Sequence, residues 1–333
     1  MIRSVTITNY LGSLNDNLAK QTNQNTVHIT LNDAEPNHGM IITKITGLGP
    51  AKATLNRTKL ATVDGSLFNS ANLEERNIVM TIKFTEAKTI EDVRLLTYRY
   101  FPIKRQIIFS IKTDNRDARA IGYIESNEPD IFSQDEQANI SIICPDPYFY
   151  SNAPGHSPHA ITFTGLDSEF EAPWENEIEP APLNKVLMGN ITKITDQDFY
   201  YDGDQTIGVE MQMDFLDVVD ADIILIHYQN ALNPNEPLLQ TEFDIKIDKF
   251  RALMGTNFLT GDKIIVNTRL GSESIYLLRN GEYHNILNTV PRECDWFQIA
   301  MGYNKFRFTT GDAGGSQYKI RFRLEHYVIY EGV

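Results

Sequence analysis

The chain has 333 residues, 41% hydrophobic and 22% charged, with a formal net charge of −14 at pH 7. That length accommodates two ordinary domains with real cores, and the composition excludes a disordered chain. The acidic excess argues against direct nucleic-acid recognition, and no run reaches the ~20 apolar residues of a membrane-spanning helix.

The opening "MIRSVTITNYLGS" reads as a first strand and lacks the apolar core of a secretory leader. β-branched or alternating runs then predict strands at 26–31, 39–46, 77–84, 106–113, 118–126 and 138–145. Turns are expected at Gly47-Leu48-Gly49-Pro50 and Asp64-Gly65, with more strand between them.

One helix interrupts this series, from Thr89 to Tyr100. Thr89 is a suitable N-cap, and Glu91 and Asp92 suit the positive end of the helix dipole. Ile90, Val93, Leu96 and Tyr100 recur at helical spacing, and Pro102 ends the element. Arg94 and Arg99 fall on the other face, toward solvent or a neighbour.

Pro145-Asp146-Pro147 and the following "YFYSNAPGHSPHA" mark a boundary, giving domains 1–150 and 151–333. The first carries 16 Lys+Arg against 17 Asp+Glu, the second 14 against 27. A nearly neutral half suits packing against protein neighbours, and a strongly acidic half suits a solvated periphery.

In the second half, strands are expected at 160–165, 206–215, 221–228, 241–248, 262–269, 274–280, 295–302, 304–310 and 318–330. Turns near Gly261, Asn280-Gly281 and Gly302 recur at the spacing of an antiparallel sandwich. The expected fold is mainly β: an N-terminal β-sandwich with one α-helix and a C-terminal β-sandwich.

Catalytic and cofactor motifs are missing from this pattern. Gly47-Leu48-Gly49 has Lys52 where a dinucleotide fingerprint needs its third glycine, and no helix follows. No phosphate-binding Walker run or Gly-x-Ser-x-Gly elbow occurs. His156 and His159 lack further metal ligands nearby, and read as loop residues. The acidic run Asp196, Asp198, Asp202 and Asp204 has Tyr200 and Val209 at positions where a calcium loop needs oxygen ligands. Cys144 and Cys294 lie in different halves and are expected as reduced thiols. No catalytic residue, cofactor or metal is assigned.

In order and spacing, several segments resemble the distal tail protein family of long, non-contractile-tailed bacteriophages. They include "GLGPAKATL", "DGSLFNSANLEERNIVMTIKF", "YRYFPIKRQIIFSI" and "ANISIICPDPYFY", then "FEAPWENE", "GDQTIGVEMQM", "GDKIIVNTRLGSESIYLLRNGEYHNIL" and "DWFQIAMGYNKFRFTT". The resemblance implies a first, belt domain that forms a homo-hexameric ring between the tail tube protein and the tail-associated hub protein. DNA would only pass through its channel. It also implies a galectin-like outer domain, which in some relatives anchors receptor-binding proteins. The chain would be a non-enzymatic virion component, assembled in the host bacterial cytoplasm, with no membrane partner.

Within this reading, Val93, Tyr100, Arg94 and Arg99, with the 103–124 region, are the expected ring or partner contacts. The segment 180–205 aligns poorly and leaves the outer domain's partner open. The alternative is a carbohydrate-binding adhesion module acting through the second domain, with Trp174 as the sugar contact and Trp296 assigned to the core. A third expectation, a glycan-degrading enzyme, would use the acids of 165–182 as paired carboxylates.

Overall fold

A computed structural model describes residues 2–10, 26–30, 39–60, 64–85, 89–130, 132, 136–152, 159–163, 166–167, 190–191, 195–230, 239–312 and 315–333. The chain is mainly β and divides into two compact units, Met1–Ser157 with Ile329–Val333, and Pro158–Val328.

The first unit holds β1 (Ile2–Tyr10), β2 (Thr26–Thr30), β3 (Met40–Thr46), β4 (Ala53–Lys59), β5 (Ser66–Leu73), β6 (Arg76–Phe84), helix α1 (Ile90–Tyr100), β7 (Gln106–Thr113), β8 (Asp117–Asp130), β9 (Gln137–Cys144) and β10 (Phe149–Ser151). Seven of these form one antiparallel sheet in the order β2-β1-β7-β8-β9-β6-β3, and β10 pairs with β8. β8 is the bridge. Its first half pairs with β7, and its second half pairs with β9 after a register shift between Ile124 and Ser126. A bulge bends a strand and raises its twist, so one long strand serves both halves of the sheet.

Alternation decides which face is buried. Ile78, Met80, Ile82 and Phe84 of β6 are buried, as are Ile107, Phe109 and Ile111 of β7 and Ala138, Ile140, Ile142 and Cys144 of β9. Each large aliphatic or aromatic side chain withdrawn from water this way contributes about 1.5–3 kcal/mol. Burial also pushes the Cys144 thiol pKa up to about 12.

The second unit holds β11 (His159–Phe163), β12 (Leu166–Asp167), β13 (Asn190–Ile191), β14 (Thr195–Tyr201), β15 (Ile207–Gly208), β16 (Glu210–Phe215), β17 (Ile223–Asn230), β18 (Leu239–Ile245), helix α2 (Ile247–Met254), β19 (Lys263–Asn267), β20 (Ser274–Arg279), β21 (Glu282–Asn285), β22 (Gln298–Ile299), β23 (Gly302–Thr310) and β24 (Ile320–His326). A six-stranded sheet, β11-β24-β16-β19-β20-β21, and a four-stranded sheet, β14-β23-β17-β18, carry most of it. Aromatic side chains join their inner faces. Phe308 of β23 stacks on Phe322 of β24 at 5.2 Å, and Phe199 of β14 on His326 of β24 at 5.2 Å. This is the expected sandwich. Asn280-Gly281 makes the expected two-residue hairpin, both residues at positive φ between paired Arg279 and Glu282.

A second helix, α2, replaces the end of the strand expected at 241–248. Eight residues give too short a periodic signal, and Lys246 provides no side-chain cap. Its clear sequence mark is Gly255, which closes it in the left-handed conformation at φ 71°. The strand expected at 295–302 shrinks to Gln298–Ile299, and the turn expected at Gly302 becomes the start of β23. The run 318–330 is cut at Tyr327-Val328. Its last part forms β25 (Ile329–Tyr330), which pairs with β10 in the first unit.

One side chain gathers this return. Arg76 is 2% exposed and donates to the carbonyls of Pro147 (2.7 Å), Gly47 (2.6 Å), Gly49 (2.5 Å) and Glu331 (2.5 Å). Its guanidinium lies 4.3 Å from the centre of the Phe149 ring. Arg116 adds a bond to the Gly332 carbonyl at 2.5 Å, and the Val333 amide donates to Leu48 O at 3.1 Å.

Two predictions follow from these buried groups. Arg76→Met leaves four carbonyls without their charged donor, so urea denaturation should show the first unit destabilised by about 3 kcal/mol or more. His227 is 1% exposed, bonded to Asn304 Oδ1 at 3.0 Å and stacked on Phe306, and burial pushes its pKa down to about 4. The unfolded chain therefore binds the proton first. Stability of the second unit should be full above pH ~6.5 and fall by roughly 3 kcal/mol as pH drops to about 4. Thermal melts across that range should show this loss, and His227→Phe should abolish it.

Candidate assembly surface

α1 begins as its sequence dictates. Thr89 Oγ1 accepts from the Asp92 amide at 3.2 Å and donates to the Asp92 carboxylate at 2.6 Å. Val93 and Thr97 are fully buried in their own unit, so Val93 presents nothing to a neighbour. Tyr100 is half-buried, and Arg99 is exposed in the last turn, where a cation suits the helix dipole. Arg94 reaches Glu91 at 2.5 Å and Tyr98 Oη at 3.0 Å, and these bonds raise its pKa. The apolar part of its outward surface consists instead of Ile90, Leu95 and Tyr98. In the 103–124 region, Ile103 and Tyr123 are exposed while Ile107, Phe109 and Ile111 face the core.

A further exposed apolar feature lies in the hairpin β4–β5, where Leu55, Leu67, Phe68 and Leu73 are all exposed. Among the described residues it pairs only with itself, and all of its residues are exposed. Its register sorts the two faces. Asn56 bonds Ser70 at 2.9 Å, and Asn69 bonds Thr58 at 2.8 Å, on the polar side. The opposite side aligns Ala53 with Leu73, Leu55 with Ala71, Arg57 with Phe68 and Lys59 with Ser66, while exposed Leu67 stands across from Thr58 on the more polar side. Leu55 is 56% exposed and Phe68 63%. An isolated two-stranded hairpin is at best marginal in water, and exposed apolar patches mark interaction sites. The arm therefore presents an amphipathic surface suited to burial against another protein.

Its base is held firmly. Glu74 N donates to Lys52 O at 2.8 Å, and two residues further on Arg76 holds the Gly47 and Gly49 carbonyls. Gly47 has φ 85°, and a Cβ there would lie 2.0 Å from Asn77 O, so no other residue fits. Sequence reading expected strand here but not a detached arm. Alternation looks the same whether the apolar face meets a core or a partner.

The other candidate chemistry does not assemble. Asp196 pairs with Arg307 at 2.8 Å and Lys305 at 3.3 Å, which holds its carboxyl below the usual range and leaves it no role as a free ligand. Among the described residues, no cluster of three or more His, Cys, Asp or Glu could hold a metal ion. Cys144 and Cys294 are free. Trp174, His156 and the acids of 168–182 lie outside the described residues, as does the side chain of His159. Trp296, assigned to the core, is half-exposed and meets buried Phe243 edge-on at 5.3 Å.

This architecture defines a class: a mainly-β chain in which a sandwich is inserted between β10 and β25 of a sheet unit. No protein-family model and no curated protein matches the sequence. Among solved structures, the chain shares its fold with the Dit protein of SPP1, whose structure is described as a paradigm of the hub adsorption apparatus in phages infecting Gram-positive hosts. The two are 11% identical with a TM-score of 0.52, over 86% of this chain and 93% of that one. The phage P2 baseplate in its activated conformation with Ca is also similar, at 11% identity and a TM-score of 0.40, over 98% of each chain.

Leu55→Asp and Phe68→Asp, singly or together, should change the chain's own stability by less than about 0.5 kcal/mol, because neither side chain packs inside its unit. Melting curves unchanged from wild type are the expected result.

Proposed function

We propose that this chain is a structural component of a bacteriophage tail tip, acting by assembly rather than catalysis. The observation that carries the proposal is the arm's apolar face, unpaired within its own unit, on a fold shared with SPP1 Dit. In this reading the first unit is the belt domain and closes a homo-hexameric ring. Each arm lies on the next copy, a heterologous contact that a ring can complete. The ring joins the tail tube protein to the tail-associated hub protein, and DNA passes through its channel without being read. The near-neutral charge of residues 1–150 favours such packing. The acidic second unit is a galectin-like outer domain and a docking place for receptor-binding proteins. Assembly takes place in the bacterial cytoplasm.

Light scattering with negative-stain imaging tests the ring. The wild-type chain should run at six times its monomer mass, alone or on addition of tail tube protein, and the Leu55→Asp/Phe68→Asp variant should run as a folded monomer. A wild-type chain that stays monomeric under both conditions would sink the ring. A double variant that retains the ring would move the interface off the arm.

A further inference from the structure

The second unit carries a groove of about 330 Å³ that the assembly reading does not use. Its walls include Lys249, Asn288, Val290, Pro291, Arg292 and Trp296. The volume lies at the lower end of small-ligand sites, which combine apolar walls with a few polar groups. The backbone around it is fixed. Lys246 N donates to Thr289 O at 3.1 Å, Cys294 N to Pro291 O at 3.3 Å, and Asp295 N to Glu242 O at 3.2 Å. The edge-on contact with Phe243 fixes the indole, so the aromatic wall is set before any ligand arrives.

The charges at this groove differ from those beside it. Lys246 pairs with Asp244 at 2.8 Å and Asp222 at 3.2 Å, and Arg251 pairs with Asp248 and Asp220. Lys249 and Arg292, both exposed, have no ion pair among the described residues. Two uncommitted cations at one groove are unusual in a half that carries 14 Lys+Arg against 27 Asp+Glu. The planar fork of arginine matches a carboxylate or phosphate, and lysine adds a point charge. Asn288 offers a donor and an acceptor to hydroxyl groups, and the indole face accepts the apolar face of a ring.

We propose that this groove binds an acidic sugar, a pyranose bearing a carboxylate or phosphate. The ring lies against Trp296, the anionic group meets Arg292 and Lys249, and a hydroxyl bonds Asn288. The site is independent of whether the chain forms a ring. It also differs from the Trp174 contact expected from the sequence.

The test uses the full chain carrying Trp174→Phe, so that Trp296 is the remaining indole emitter. Four probes are titrated: a glucuronate-containing disaccharide, glucose 6-phosphate, glucose and inorganic phosphate. At least one acidic sugar should shift the Trp296 emission saturably and bind about tenfold tighter than glucose or phosphate, a difference of ~1.4 kcal/mol. The two acidic probes distinguish carboxylate from phosphate. Lys249→Glu/Arg292→Glu should remove that advantage without changing the melting curve. In the wild-type chain, the same probe should slow maleimide labelling of Cys294, which lines the groove while Cys144 is buried. No saturable response to either acidic sugar overturns the proposal. An equal response to inorganic phosphate reduces the groove to an anion site, and an equal response to glucose removes the role of the two cations.

Discussion

The guanidinium of Arg76 is the contact on which the first unit depends. It sits in the interior and faces backbone carbonyls from three distant stretches: the Gly47–Gly49 turn, Pro147 and Glu331. Burial lowers its pKa, with Asp146 opposing that effect from nearby. A charged donor is valuable in this position because a carbonyl without a partner loses its hydration and gains nothing in return. The same residue holds the chain just before β10 and just after β25. A whole sandwich can therefore stand between residues 157 and 329 while the first unit remains a single compact body.

Apolar surface is handled in three ways in this molecule. In the main sheet, alternation sends it to one buried face, and in the sandwich, stacked aromatic side chains such as Phe308 and Phe322 close the space between two sheets. The β4–β5 arm leaves it exposed. That contrast makes the arm informative, because Leu55, Leu67 and Phe68 stand exposed together on one short hairpin. Buried polar groups receive comparable care. Asp262 is 2% exposed and meets Arg279 through two bonds, at 2.8 and 2.5 Å, which anchor the loop between α2 and β19. His227 is kept neutral by its burial among aromatic rings, against the opposing pull of its hydrogen bond to Asn304.

Much of this order was legible in the sequence. β7 runs Gln106–Thr113, within the bounds expected from alternation, and α1 starts on the Thr89 cap. The Asn280-Gly281 turn followed from two residues that tolerate positive φ. What the pattern missed has physical causes. α2 is too short for its period to rise above the flanking strand signal. β14 was hidden because its Asp196 and Asp198 look like loop or ligand residues until Lys305 and Arg307 of β23 pair with them. The candidate contacts on α1 were chosen by period alone, which places Val93 on the apolar face without saying whether that face meets a core or a partner.

By itself, the sequence determined the mainly-β character, most element types, the turns that need glycine or asparagine and the uneven charge. These are local properties, set by side-chain period and backbone preference within a few residues. Tertiary structure alone decided that residues 329–333 return to the first unit, that β4–β5 stands apart, and that Lys249, Arg292 and Trp296 share one groove. Each of those depends on contacts between residues far apart in the chain. A strand with one apolar face carries no local mark of what covers it.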